Sequence, residues 1–182
     1  VCSIEVLSRA APAAGFINVT PDDDGVLRRL PLVIAHRGQL YPNLALQTVL
    51  QAGGHMEVRL RIGRRGHLEG IDLDNRFVPL DERGQLLVRL HPHSPPLERV
   101  GADEVLDGRV PPERIAGRIV LVGTTAMGLE AHRTSPLGSL VPSIAVQAAV
   151  IDNLQQGRFF SAPGWARSLE LGLLVFCGIG SA

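Results

Sequence analysis

Lysine is missing from this chain, and every one of its 18 cationic residues is arginine. A Schiff-base lysine and the lysine of a phosphate-binding loop are thereby excluded. Cysteine is scarce: Cys2 lies near the first residue and Cys177 in an apolar tail, which supports neither a structural disulfide nor a thiolate metal site. Neither sign of charge is in excess, because 18 acidic residues balance the arginines, so no net field draws the chain to nucleic acid or an anionic surface. There is no internal repeat and no low-complexity tract. The chain has no Gly-x-Ser-x-Gly elbow and no His-Glu-x-x-His helix, which leaves hydrolytic catalysis without a nucleophile or a metal-bound water.

What is present reads as a folded domain. Apolar residues make up 45% of the 182 and charged ones 20%, an ordinary globular balance with room for one domain and a short appendage. The chain opens on Val1, lacks a basic-then-apolar signal segment and stops inside a hydrophobic run, so a piece of a longer protein is expected.

The organising stretch is GRIVLVGTTAMGLEAHRTSPL, residues 117–137. Its run Ile119, Val120, Leu121 and Val122 suits a strand buried on both faces, stopped at Gly123, where two threonines begin a turn of small residues. In open α/β sheets ligands gather at such strand ends, where loop and helix N–H groups converge. Gly123, Thr124, Thr125 and Gly128 are therefore candidate binders of a small anion, against the plainer reading of a threonine-capped turn. The loop has neither the lysine nor the glycine spacing of a Walker sequence, and it does not fit Gly-x-Gly-x-x-Gly. His132 and Arg133 follow it and are placed to touch a ligand.

Upstream, residues 3–14 have helical spacing until Pro12 and Gly15 interrupt it. Residues 16–19 and 26–35 read as strands of a hairpin joined by TPDDDG. That acidic turn is not a calcium loop, because aligning Gly25 with the EF-hand glycine puts Thr20 at the first ligand position and Pro31 at the twelfth. Arg28 and Arg29 follow the turn. On a strand they point to opposite faces, so one of them could enter a polar cleft and bind carboxylate or phosphate while the other is solvated.

Residues 42–52 predict a helix ended by Gly53 and Gly54, and 58–62 a half-buried strand alternating apolar residues with arginine. Residues 71–78 are a further strand, and the turn Asp81-Glu82-Arg83-Gly84 joins 78–80 to 85–90 as a second hairpin. His91 and His93 could share a face, but Pro92 and the lack of further ligands argue against a metal. Residues 101–106 predict a short helix, and 143–154 a longer one packed under the main loop and ended near Gly157. From 171 to 182 there is no charge, and Trp165 and Arg167 stand ahead of that run as interfacial residues would; it reads as the first part of a membrane helix.

The blocks DDDGVLRRLPL, PNLALQ, VPLDERGQLLV, VLDGRVPPERIAGRIVLVGTTAMGL and IDNLQQGRFFSAPGWARSLEL, in this order, resemble the second class of the CHASE family. These are the cyclase- and histidine-kinase-associated sensory extracellular domains of bacterial receptors. The chain departs from the usual pattern at Ala131, where an aspartate is common, at Ser135-Pro136, where the pair is Thr-Pro, and in SIAVQAA, where relatives carry Gly-Val-Glu-x-His-Ala-Asn. The resemblance implies an N-terminal membrane helix and an acidic strand-helix-strand region ahead of this sequence. It also implies membrane helices after it, leading to a cytoplasmic cyclase or kinase.

The resulting expectation is an α/β fold: a mixed sheet with a buried parallel core strand, two β-hairpins and covering helices, followed by the start of a transmembrane helix. Residues 1–164 would form an extracytoplasmic sensor domain and 165–182 the beginning of the membrane helix. The domain would face the periplasm or exterior at the inner membrane and bind an unknown small-molecule ligand. It would touch the membrane through its C-terminal helix, bind no nucleic acid and need no cofactor or metal, with the choice between monomer and homodimer left open. Two alternatives remain, a phosphate- or nucleotide-binding α/β enzyme domain and a ligand-free dimerisation spacer.

Overall fold

The computed structural model describes residues 5–54, 57–64, 66–90, 98–124, 132–136, 138, 140–160, 172–174 and 176–178. Two helices form its framework, α2 (Leu44–Ala52) and α4 (Ser143–Gln156), packed on each other. In α2 the buried side chains are Ala45, Leu46 and Val49, one helical stripe. Asn43 caps the helix by accepting the Ala45 N–H at 2.8 Å. α4 ends on Gly157, whose φ of 65° is the left-handed turn that glycine adopts without a Cβ penalty. Helices were expected at both places. Two shorter ones, α1 (Glu5–Ala10) and α3 (Ala102–Leu106), also lie where spacing placed them.

The strands of the described residues make four small sheets, all antiparallel: β1 (Arg29–Pro31) with β7 (Gln85–Leu87); β2 (Val33–His36) with β3 (Gln39–Pro42); β4 (Val58–Ile62), β5 (Leu68–Leu73) and β6 (Arg76–Pro79) in that order; and β8 (His132–Thr134) with β9 (Leu140–Pro142). Leu30, Leu86, Ile71 and Val78 from these sheets and Val146 and Val150 from α4 share one core.

Neither expected hairpin pairs as anticipated. The Asp22–Gly25 turn closes, with Gly25 N–H donating to Asp22 O at 2.8 Å. Its flanks then diverge: Phe16 bridges Asn43, and Val26 bridges Thr134. Pro31 has no N–H to continue a ladder, and residues 26–35 break beside it into β1 and β2. The Asp81–Gly84 turn also closes, Gly84 N–H reaching Asp81 O at 2.9 Å, yet the strand after it joins β1 rather than β6. The two-residue hairpin turns among the described residues are Arg37-Gly38 and Asp74-Asn75, each with two successive positive φ values (50° and 78°; 43° and 68°) that match strand twist. The second of these divides what spacing had read as one strand over 71–78.

The run expected to be a parallel core strand is corrected too. Residues 119–122 belong to no ladder among the described residues. Ile119 and Leu121 pack on the core while Val120 and Val122 are 56% and 89% exposed. A four-residue apolar run carries no polar marker of which face is inward, and here the packing alternates with the period of a strand covered on one side only. At the other end of the chain, 172–174 and 176–178 are helical, with Leu174 and Phe176 exposed. No helix among the described residues is long and apolar enough to cross a membrane.

Candidate functional site

Where the run 119–122 ends, Gly123 lies against the first turn of α4. A Cβ built on Gly123 would stand 2.5 Å from Ile144 Cδ1, the mobile tip of that side chain, which would have to turn aside to admit one. The same helix end abuts β8, because His132 pairs with Pro142, the residue that precedes α4. The turn bearing Arg28 is tied to the other end of β8 through the Leu27 N–H, which donates to Thr134 O at 2.9 Å. Gly123, β8 and the acidic turn are thus brought together by the start of α4 and its leading strand β9. Thr125 and Gly128 lie outside the described residues, and for His132 and Arg133 only the backbone, in β8, is described.

Pro142 at the N-cap makes no side-chain hydrogen bond to the first turn, and there is no acidic residue there to complement the positive end of the dipole. One turn further, Gln147 is 4% exposed, and among the described residues neither its amide nitrogen nor its oxygen has a hydrogen-bond partner. It stands three residues after Ile144, the spacing of neighbours along one helix surface. A buried primary amide left unpaired costs about 1–3 kcal/mol, so something must compensate it or it is a defect the fold tolerates. Sequence reasoning noted this position only as part of a departure from the family pattern. The available signal was a lone amide in the otherwise apolar VQAAV.

The two arginines are less free than expected. Arg28 donates to Asp22 at 3.2 Å and to both oxygens of Asp24 at 2.9 and 2.8 Å, while Arg29 reaches the same Asp22 at 3.3 Å and Asp81 at 3.9 Å. The expectation that their side chains diverge to opposite faces fails, because Arg28 precedes β1 and both long stems curl back to the turn. The hydrogen bonds from Arg28 hold the Asp24 carboxyl down at about 2, and the Asp24 carboxylate in turn raises the Arg28 guanidinium. Both groups stay largely in water, which screens the pair.

A separate charged cleft of about 420 Å³ lies on the outer face of the β4–β5–β6 sheet, lined by Glu57, Arg59, Arg61, Asp72, Asp74 and Asn75. Here too cations and anions pair internally: Arg59 with Glu57 at 2.8 Å and Arg61 with Asp72 at 2.8 Å, with Arg61 also over the Phe77 ring. Among the described residues no cluster of three or more His, Cys, Asp or Glu is placed to hold a metal ion.

Compared with known families, the chain matches the model of the CHASE2 domain over residues 3–181. No curated protein and no solved structure matches it.

Proposed function

The chain belongs to the CHASE2 domain family, whose members are extracellular sensory domains of signalling receptors, and we propose that it receives a small ligand at the N-terminal end of α4. The observation that supports this most directly is Gln147, a buried amide with no hydrogen-bond partner among the described residues, on the helix whose first turn lies against Gly123. A ligand with both an acceptor and a donor, such as a carboxylic acid bearing a hydroxyl or amide, would satisfy these groups together. The site residues in this reading are Gly123, Thr124, Thr125, Gly128, His132 and Arg133, with Arg28 or Arg29 joining only if the ligand displaces an aspartate.

Transmission would run along α4. Its start lies against Gly123, and the chain leaving its far end is anchored by Phe159 on the core and by Phe160 beneath Arg89, 5.5 Å from ring centroid to guanidinium. A ligand preferring one position of the helix would bias the two-state arrangement of whatever follows residue 160. In this reading the apolar residues 171–182 begin a helix of the inner membrane, the domain faces the periplasm, and a cyclase or kinase supplies the output. Thermal unfolding of the domain against a panel of small carboxylates, phosphates and related metabolites tests the proposal. One of them should raise the midpoint in a concentration-dependent way, and no response to any would remove the small-ligand role.

A second reading, a spacer that works without ligand, is favoured by the tight seat of Gly123 on Ile144 and by the internal neutralisation of Arg28 and Arg29. It predicts that Gln147→Leu leaves signalling by the whole receptor intact.

A further inference from the structure

β4 is an edge strand, with β5 on one side and no strand among the described residues on the other. Its backbone orientation follows from its first neighbour: Glu57 O accepts the Asp74 N–H at 3.3 Å, and Asp74 Oδ1 accepts the Glu57 N–H at 3.0 Å, so residue 57 faces β5. By antiparallel alternation 59 faces β5 as well, and the N–H and C=O groups of Val58 and Leu60 point out from the sheet. The side chains alternate likewise. Val58 and Leu60 lie across from Leu73 and Ile71 on the core face, yet they are 38% and 39% exposed where those partners are buried. The edge has no proline or lysine to discourage pairing, and its two arginines are neutralised within their own sheet by Glu57 and Asp72.

We propose that β4 is an interface between two copies of this chain, paired antiparallel about a two-fold axis at Arg59. The occupant is a second copy because the strand is its own complement. With 59 on the axis, Val58 of one copy lies opposite Leu60 of the other, twice, so each of the outward backbone groups finds its partner and the apolar row doubles in length. Glu57 then stands opposite Arg61 of the other copy, also twice, while the two Arg59 side chains meet on the axis with each held by its own Glu57. Moving the axis to Leu60 would instead set Arg59 against Arg61 at two places. Centring it between residues would turn the outward groups away from each other. The result is an isologous six-stranded sheet.

The test uses the full chain in a mild detergent that covers residues 171–182. Sedimentation should give a dimer, and Leu60→Arg should weaken association by roughly tenfold or more. Position-specific crosslinking protects the test against misfolding of that variant. In a Cys2→Ser, Cys177→Ser background, Arg59→Cys should oxidise to an intermolecular disulfide, since residues paired on the axis have Cα atoms about 4.5–5.5 Å apart. Arg61→Cys should not, because its two copies would lie about 13 Å apart along the strands. A monomer, a dimer indifferent to Leu60→Arg, or equal crosslinking at both positions would each overturn the assignment. None of these outcomes touches the ligand site on α4, which is read out separately by thermal shift.

Discussion

At the C-terminal end of α4, Arg76 donates to the Leu154 and Gln155 carbonyls at 3.1 and 2.8 Å, Gly157 turns the chain left-handed and Leu154 is 2% exposed. At the N-terminal end Pro142 gives the first turn no side-chain hydrogen bond, and among the described residues Gln147 is buried without a partner and the neighbouring run 119–124 joins no ladder. One helix therefore has a completed end and an end near which a buried amide has no partner among the described residues. A structural anchor needs the first arrangement. Only the second leaves differential free energy for a ligand or a conformational change to use.

The comparison is tested most severely by removing apolar bulk at each end. Leu154→Ala should cost about 2–5 kcal/mol in denaturant unfolding, as for other fully buried leucines. Val122→Ser, at a side chain 89% exposed, should stay within about 0.5 kcal/mol. Equal losses would mean that Val122 is covered in solution and that the two ends are alike.

The next effect in size concerns the C-cap. Gly157→Val places a β-branched residue at φ 65°, and its Cβ would lie 3.3 Å from Arg76 Cδ. About 1–2 kcal/mol of destabilisation is expected from the backbone alone. A variant as stable as the parent would show that α4 frays at this end and that the cap carries little.

How much of this could be read beforehand differs between helices and strands for a physical reason. Helices are local: the stripe of α2, its Asn43 cap and the Gly157 stop of α4 are all visible within one short window. Strand pairing is not local. Both Asp-rich turns form as their residues dictate, but a closed turn does not oblige its flanks to pair, and β1 and β7 find each other across more than fifty residues. The Asp74-Asn75 turn was passed over because neither residue is glycine, although both tolerate positive φ. At the site, the pairing of Arg28 with Asp24 was not read from the sequence, which had one arginine of the pair entering a polar cleft, and the burial of Gln147 depends on how α4 packs against the rest of the core.

At the open end, Gln147→Leu should stabilise the free protein by on the order of 1 kcal/mol, since a leucine of similar size removes an unpaired buried amide. The same substitution should abolish any thermal shift produced by a ligand. A destabilised variant would mean that the amide already has a partner, such as a buried water, and that the two ends of α4 are equally satisfied.

The smallest effect is the one that decides whether Arg28 belongs to the open end. Asp24 titrates at about 2 in the folded chain against an ordinary 3.8, so its contribution to stability is fully present above about pH 4 and is lost as the pH falls through 2. Asp24→Asn should flatten the acid limb of the stability profile in that window, with a small loss above about pH 4, kept small because the pair is exposed, and no change below pH 2. The substitution also releases Arg28 from its nearest anion. If Arg28 can turn toward β8 and serve a bound carboxylate, Asp24→Asn should tighten ligand binding even as it removes an ion pair. If affinity is unchanged, the guanidinium is a brace for the acidic turn, and recognition rests on the backbone and on Gln147.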